Sequence, residues 1–204
     1  MAESYLRQHP LAHRGLEAAP VTPADAGAVL WLEGPAAQLC LRGEGRGFAS
    51  AVKTVLSVAP PADANTVAGA VAGAGDTRIL WLGPDEWLAV TPGADAAEQA
   101  AALEQALDGE HALVTDVSHS RVIIALAGPR AREVLQKGCS LDLDPVAFAP
   151  GACAQSALAR AHMLLHQVDD TPTYHVYAHR SFADYVYAWL ADAAAEYRRG
   201  TDPF

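Results

Sequence analysis

Short apolar segments rich in β-branched, leucine and aromatic residues recur along the chain and predict the strands of a sheet. Polar or proline-containing turns separate these segments. Asp169-Asp170-Thr171-Pro172 joins the last two segments, which predicts a hairpin and so an antiparallel connection. The predicted strands span residues 112–117, 122–127, 162–168 and 174–178.

An apolar run that ends in Gly-Pro occurs three times, and each is predicted to be the exit of a strand. The dipeptides are Gly34-Pro35, Gly83-Pro84 and Gly128-Pro129. Proline is tolerated at the first position of a helix, because its missing N–H would have no intrahelical partner there. Pro129 therefore predicts a helix over residues 130–137, closed by Gly138.

Two longer alanine-rich segments, residues 94–107 and 182–197, have a helical period. Ser181 is predicted to cap the second helix. Apolar residues of that helix recur at spacings of three and four, so their shared face is predicted to pack on a sheet. That face comprises Phe182, Tyr185, Val186, Trp189, Leu190 and Ala193. Helices beside an antiparallel sheet define the α+β class.

Residues 1–28 contain three prolines and no sustained period, so they are interpreted as an extended N-terminal arm. A floppy tail is the alternative, since termini are poorly ordered unless they are tied down. Residues 29–204 are long enough for one sizeable core and are predicted to form a single α+β domain.

Composition and charge narrow the function. Hydrophobic residues make up 51% of the chain and charged residues 19%, which favours a packed core over disorder. The net charge of −10, with no basic stripe, disfavours nucleic-acid binding. No apolar stretch has the length of a membrane helix, and Cys40, Cys139 and Cys153 lack the spacing of disulfide or zinc motifs. A cytoplasmic protein without membrane or nucleic-acid partners is expected.

Two patterns have features of binding sites but match them poorly. The glycines of residues 41–48 invite comparison with a phosphate loop, but no Lys-Ser/Thr follows and Glu44 would repel an anion, so a flexible turn is favoured. His162 and His166 have the spacing of zinc ligands on a helix, but the residues around them predict a strand, and no third ligand is evident. Both histidines are interpreted as structural or surface residues.

Two other patterns have features of nucleophilic catalysis. Asp116, Ser118 and His119 have the composition of a hydrolase triad, but adjacent positions rarely nest in the required order. Bonds from Asp116 and Ser118 to the local backbone at a turn are favoured instead. Cys139 follows Lys137-Gly138, where a nearby ammonium would activate a thiol, but a small buried residue after a helix cap is favoured.

Most of the large aromatic residues are assigned to the core. Trp87 is the exception, because it follows Pro84-Asp85-Glu86, a predicted turn that would present the indole outward. An outward tryptophan is typical of a protein interface.

Short blocks spread over most of the chain resemble the gamma subunit family of heterotetrameric sarcosine oxidase. The blocks are Trp81-Leu82-Gly83-Pro84-Asp85-Glu86-Trp87-Leu88, Asp116-Val117-Ser118-His119-Ser120-Arg121, Gly128-Pro129-Arg130-Ala131, Lys137-Gly138-Cys139, Leu141-Asp142-Leu143, Ala152-Cys153-Ala154-Gln155, Leu164-Leu165-His166 and Arg180-Ser181-Phe182-Ala183-Asp184-Tyr185, with Pro10-Leu11-Ala12-His13 near the start. Their shared order makes the resemblance more specific than any one block.

The same subunit is similar to the N-terminal part of the folate-dependent aminomethyltransferase of the glycine cleavage system. This similarity implies a ferredoxin-like βαββαβ core with an antiparallel sheet. Where the aminomethyltransferase has Gly-Gly and then paired aspartates, this chain has Ala161-His162-Met163-Leu164-Leu165-His166, so the carboxylate that would meet a folate amine is missing. We therefore expect no catalytic, cofactor-binding or metal-binding residues on this chain.

The resemblance implies a non-catalytic structural subunit of a complex that oxidatively demethylates sarcosine to glycine. FAD, FMN, NAD and tetrahydrofolate are implied for the larger subunits of the complex, and the isolated chain is not expected to be active. The partner is expected to be chiefly the folate-binding region of the alpha subunit. The candidate contact residues are Trp87, Asp116, Ser118, His119, Arg121 and Arg180.

Two alternatives stay open at the level of sequence. In the first alternative, the chain is a free-standing folate-binding protein of the aminomethyltransferase-like superfamily. In the second, it is the small subunit of a related oxidase or dehydrogenase of N-methyl amino acids. Binding of tetrahydrofolate by the isolated chain distinguishes the first alternative from a structural subunit.

Overall fold

Ten strands and four α-helices make up the described part of the chain, residues 9–14, 26–69 and 76–197 of a computed structural model. The strands are β1 (Val29–Leu32), β2 (Ala36–Gly43), β3 (Val67–Gly69), β4 (Arg78–Gly83), β5 (Glu86–Pro92), β6 (Ala112–Asp116), β7 (Arg121–Ala127), β8 (Cys153–Leu158), β9 (Ala161–Asp169) and β10 (Thr173–His179). The helices are α1 (Gly45–Leu56), α2 (Ala96–Ala106), α3 (Ala131–Gln136) and α4 (Ala183–Ala193).

The first sheet has the strand order β3-β4-β5-β2-β6, and all of its pairings are antiparallel. Its elements β2, α1, β4, β5, α2 and β6 form a βαββαβ unit. The short strand β3 lies between α1 and β4 in the chain and is added to the sheet as an edge strand beside β4. The α+β class and the ferredoxin-like core expected from the sequence are therefore confirmed.

The second sheet has the order β1-β7-β10-β9-β8 and is also antiparallel. The predicted hairpin through Asp169-Asp170-Thr171-Pro172 is confirmed as the connection of β9 and β10. The prediction that all four sequence-predicted strands share one sheet is wrong, because β6 pairs with β2 in the first sheet. The chain crosses between the sheets after β6, which the local pattern of apolar residues does not reveal.

Alternation along the strands gives each sheet two apolar faces, since successive side chains of a strand point to opposite sides. Helices α1 and α2 pack on the outer face of the first sheet, and α3 and α4 on the outer face of the second. The inner faces meet each other in a third apolar cluster. This inner cluster consists of Leu80, Leu88, Val90, Ile123, Cys153, Leu164 and Tyr177.

All three predicted Gly-Pro strand exits are confirmed, at the ends of β1, β4 and β7. Only the third is tightly constrained. Gly128 has φ +121°, and a Cβ at this position would lie 2.6 Å from the carbonyl oxygen of Gly27. Glycine is required there because it alone combines a positive φ with this close backbone approach.

The helices predicted after Gly128-Pro129 and over residues 94–107 are confirmed as α3 and α2, each shorter than predicted at its ends. Helix α2 begins where Asp95 caps it, with Oδ1 accepting hydrogen bonds from the backbone N–H groups of Ala97 and Glu98 at 2.8 and 3.2 Å. A side chain that satisfies these otherwise unpaired donors fixes the first turn of the helix.

The last predicted helix is confirmed as α4, but its start differs from the prediction. Ser181 does not cap it, because this residue lies inside a 3₁₀ turn, Arg180–Phe182, that precedes the helix. The buried face consists of Ala183, Val186, Leu190 and Ala193. Phe182 and Tyr185 of the predicted apolar face are instead 45% and 38% exposed.

Helix α1 was not predicted from the sequence. The interpretation of residues 41–48 as a flexible turn is wrong, because these residues hold the end of β2 and the start of α1. Glycine has a low helix propensity, so Gly45 and Gly47 argue against a helix when the sequence is considered alone. Burial of Phe48, Val52 and Leu56 on the first sheet stabilises it.

Part of the predicted N-terminal arm lies among the described residues, and residues 1–8 and 15–25 lie outside them. Leu11 is fully buried in the core between the second sheet and its helices. Arg14 Nε donates to Asp184 Oδ1 of α4 at 2.6 Å, and its guanidinium lies over the Tyr187 ring. No helix of the described residues is both long and apolar enough to cross a lipid bilayer.

The constraint at Gly128 predicts a large loss of stability in Gly128→Ala. The added Cβ must either clash with the Gly27 carbonyl or shift the end of β7, so we expect the free energy of unfolding to fall by about 2 kcal/mol or more. Urea denaturation followed by circular dichroism measures this change. Gly34→Ala is the matched control, because a Cβ added there would meet no atom within 4 Å, and equal losses in the two variants would contradict the prediction.

Candidate functional site

A cavity of about 560 Å³ opens where the chain passes from one sheet to the other. The first crossing, at Glu33, Gly34 and Pro35, leads from β1 to β2. The second crossing leads from β6 to β7 through residues 117–120. Both crossings line the cavity, which makes it a product of the two-sheet arrangement.

Five of the six sequence-predicted contact residues line this cavity together. They are Asp116, Ser118, His119, Arg121 and Arg180. The first four come from the second crossing and the strand ends on either side of it, while Arg180 comes from the turn after β10, the strand that pairs with β7. The pairing of β10 with β7 therefore brings residues about sixty positions apart in the chain to one site.

Asp116 and Ser118 brace the second crossing. Oδ1 of Asp116 accepts hydrogen bonds from the backbone N–H of Ser118 at 2.9 Å and from its hydroxyl at 2.5 Å. Ser118 Oγ accepts in turn from the backbone N–H of Gln38 on β2 at 3.0 Å. The prediction of bonds to the local backbone at a turn is confirmed for Asp116, whereas the backbone partner of the Ser118 side chain is the distant Gln38 of the first sheet. The Ser118 proton is directed at the aspartate with no histidine between them, unlike in a hydrolase triad.

Gln38 ties the first sheet to the start of β7. Its side chain is buried, and Nε2 donates to the carbonyl oxygen of Arg121 at 3.1 Å. The backbone N–H of Arg180 donates to the carbonyl oxygen of Ser120 at 2.9 Å. These bonds fix the backbone at both arginines, so the two side chains leave the fold at defined points beside the cavity.

The cavity carries charges of both signs. Arg121 and Arg180 supply positive charge, and Asp116 and Glu33 supply carboxylates. Burial, followed by the nearby charge of Arg180, lowers the pKa of His9, which also lines the cavity. Mixed charge on fixed backbone is typical of a surface that recognises another protein.

Trp87 lies away from this site, and the expectation that it faces outward is wrong. Its side chain is on the outer face of β5, only 8% exposed, with its ring stacked on Phe48 of α1 at a centroid distance of 5.4 Å. Its Nε1 donates to the carbonyl oxygen of Pro61 at 3.0 Å. The turn at Pro84-Asp85 is real, but Trp87 follows it inside the strand and points to the helical side.

The Cys40 and Cys153 thiols are not activated as nucleophiles. Burial raises the pKa of Cys153 to about 11, and burial together with the hydrogen bond to Glu86 raises the pKa of Cys40 to about 11. Cys139 is buried in the core below α3, as its favoured interpretation predicted. All three cysteines are free.

A second polar cluster, which the sequence did not reveal, lies buried between the sheets. Arg78 of β4 is 1% exposed, and its Nε donates to the hydroxyl of Tyr177 on β10 at 2.8 Å. His175 of β10 and His166 of β9 are paired in register and share this face, with ring centroids 5.9 Å apart. The only signal in the sequence is the alternation of His175, Tyr177 and His179 along one strand face.

Both buried histidines are neutral. Desolvation, followed by the charge of Arg78, lowers the pKa of His166 to about 3 and that of His175 to about 2. His166 is thus structural, as predicted, and His162 lies exposed on the same strand. Among the described residues, no group of three or more histidine, cysteine or acidic side chains is arranged to hold a metal ion.

Comparisons with known proteins agree on one family. The model of the sarcosine oxidase, gamma subunit family matches residues 42–196. The gamma subunit of sarcosine oxidase from Corynebacterium sp. (strain P-1) is 37% identical over 153 residues, which is 75% of this chain and 72% of that protein.

Two solved structures are similar to this fold. One chain of the heterotetrameric sarcosine oxidase from Corynebacterium sp. U-96, in complex with pyrrole 2-carboxylate, has a TM-score of 0.82 and 33% identity, covering 97% of this chain and 100% of that chain. Aminomethyltransferase T of the glycine cleavage system from Bartonella henselae has a TM-score of 0.60 and 16% identity, covering 81% and 46%. The second likeness concerns the fold alone.

The brace at the second crossing predicts that Ser118→Ala is destabilising. The change removes the acceptor of the Gln38 N–H and one donor to Asp116, so we expect the free energy of unfolding to fall by about 1–2 kcal/mol. Chemical denaturation measures it. Ser140→Ala, at an exposed position after α3, is the control and should change stability by less than about 0.5 kcal/mol. A neutral Ser118→Ala would show that the brace is not stabilising.

The buried histidines predict that stability falls with pH below about 6.5. The unfolded chain takes up protons on both rings as pH falls through their unfolded pKa of about 6.5, whereas the folded chain does so only near pH 2–3. The free energy of unfolding is measured by urea denaturation from about pH 6.5 to 5. In His175→Gln, its slope with pH should be smaller than in the parent, by the amount that corresponds to uptake of about one proton on unfolding. His162→Gln, at an exposed position of β9, should keep the parental slope, and an unchanged slope in His175→Gln would contradict the prediction.

Proposed function

Because the chain belongs to the sarcosine oxidase gamma subunit family, we propose that it is a non-catalytic subunit of a heterotetrameric sarcosine oxidase. Such a complex demethylates sarcosine oxidatively to glycine. The observation that carries the proposal is the likeness, along nearly the whole chain, to one complete chain of a solved heterotetrameric enzyme. A subunit contributes fixed shape and binding surface, which is what the cavity residues provide.

The side chains of the described residues support a role in binding. Oxidation of an N-methyl group requires an electron acceptor, and cofactors supply that chemistry in proteins. The Ser118 hydroxyl is held by Asp116, and raised pKa values keep the Cys40 and Cys153 thiols protonated. We propose that FAD, FMN, NAD and tetrahydrofolate are bound by the larger subunits, where the reaction takes place.

The proposed partner surface is centred on the cavity and continues onto the turn before α4. Arg180 lines the cavity, and Phe182, two residues later, exposes 45% of its surface. Arginine and large aromatic residues carry much of the binding energy of protein interfaces. We propose that this surface contacts a larger subunit, chiefly the folate-binding region of the alpha subunit.

We propose that the complex works in the cytoplasm. All three cysteines of the chain are free, and each is buried or half-buried inside the fold. Thiols of this kind are typical of proteins that work in a reducing compartment.

The partner surface predicts that Arg180→Glu weakens assembly. The test is co-expression of the tagged chain with the larger subunits, followed by affinity purification and quantification of the co-purified chains. Reversal of a charge at the centre of the surface should lower the co-purified amount at least about tenfold. Circular dichroism of the variant checks that it is folded.

Arg160→Glu is the matched control, since Arg160 is an exposed arginine in the β8–β9 turn, outside the cavity. It should co-purify with the larger subunits as the parent does. If both variants co-purify equal amounts of the larger subunits, the interface lies outside the proposed partner surface. Flavin absorbance or turnover of sarcosine by the purified chain alone would overturn the non-catalytic assignment, and calorimetric binding of tetrahydrofolate to that chain would favour a free-standing folate-binding protein.

A further inference from the structure

Arg78 brings an uncompensated charge into the layer between the sheets. Arg78 is only 1% exposed, and its side chain carries the positive charge of a guanidinium. Nη2 has no hydrogen-bond partner, and none of the described carboxylates forms an ion pair with it at 4.0 Å or less. A buried cation costs several kcal/mol unless an opposite charge lies beside it.

The groups around Arg78 are donors of hydrogen bonds. The hydroxyl of Tyr177 accepts from Arg78 Nε, which leaves the hydroxyl proton free to donate. His166 and His175 each have a buried Nδ1 without a hydrogen-bond partner. Besides desolvation, the charge of Arg78 contributes to the lowered pKa of both rings. A neutral imidazole donates from Nδ1 in one of its two tautomers.

Glu33 is the carboxylate found beside this cluster among the described residues, and it forms no hydrogen bond with it. Glu33 Oε1 lies 3.7 Å from Nε2 of His175, which is too long for a hydrogen bond, and the same oxygen already accepts from Trp31 Nε1 at 2.8 Å. Glu33 therefore leaves Nη2 of Arg78 and both Nδ1 atoms unpaired.

We propose that Arg78, Tyr177, His166 and His175 form a binding site for a small monovalent anion of the halide class, chloride in the cell. An anion balances the guanidinium charge and accepts from several donors at once, whereas a water molecule satisfies hydrogen bonds but not charge. The ligand must be small because the inner apolar cluster packs the sheets together next to this site. The anion joins β4 of the first sheet to β9 and β10 of the second, so it stabilises the contact between the sheets.

The site predicts that chloride stabilises the full chain specifically. Thermal unfolding is measured in sodium chloride and in sodium gluconate, whose anion is too large for the site, mixed at constant ionic strength. Above the dissociation constant, each tenfold rise in chloride should raise the Tm by roughly 3–5 °C. Arg78→Met, which replaces the charge by an apolar side chain, should abolish this response.

Arg42→Met is the matched control, because Arg42 is an arginine of the first sheet whose side chain is exposed and paired with Asp85. It should keep the parental response to chloride. A parental Tm that is independent of the anion, or an equal response in Arg78→Met, overturns the proposal.

A second measurement does not depend on the folding of any variant. Crystals of the parent chain are soaked in sodium bromide, and the anomalous signal of bromine is mapped. A peak within about 3.5 Å of the Arg78 guanidinium supports the site, since this is the range of hydrogen bonds to a large halide. Bromide found only at the protein surface, or a water molecule in contact with Nη2, overturns it.

Discussion

The protein is held together by the contact between its two sheets, because each sheet has helices on its outer face and depends on the other sheet to cover its inner face. Apolar residues such as Leu80, Val90 and Ile123 exclude water from this layer. The same layer holds Arg78 and two neutral histidines, and a buried cation in it requires compensation. The sheet contact thus combines a large apolar driving force with a local electrostatic constraint.

The two-sheet arrangement also creates the candidate partner site. The chain must pass from one sheet to the other, and two described crossings between strands, at residues 33–35 and 117–120, meet at the same cavity. Gln38 donates hydrogen bonds to Ser118 Oγ and to the carbonyl oxygen of Arg121, and these bonds hold the second crossing against the first sheet. Loops braced in this way bind a partner at a lower entropic cost, because their backbone is already ordered.

The chain belongs to the sarcosine oxidase gamma subunit family and has a fold that is also found in an aminomethyltransferase. The ferredoxin-like unit is shared with an aminomethyltransferase at 16% identity, a level at which packing patterns are retained and side-chain chemistry is free to differ. In the segment 161–166, which the sequence comparison set against Gly-Gly and paired aspartates of the aminomethyltransferase, His162 is exposed and His166 is buried and neutral.

The sequence by itself determined the local elements, namely the strand exits at Gly-Pro, three of the four helices and the β9–β10 hairpin, since backbone preferences act over a few residues. It also brought Asp116 and Arg121 forward as site residues through a short motif. The tertiary structure decided that β6 belongs to the other sheet, that Trp87 is buried against α1, that α1 forms despite its glycines and that Arg78 donates to Tyr177. These outcomes depend on which surfaces are buried between distant segments, and burial is a property of the assembled sheets that no local pattern encodes.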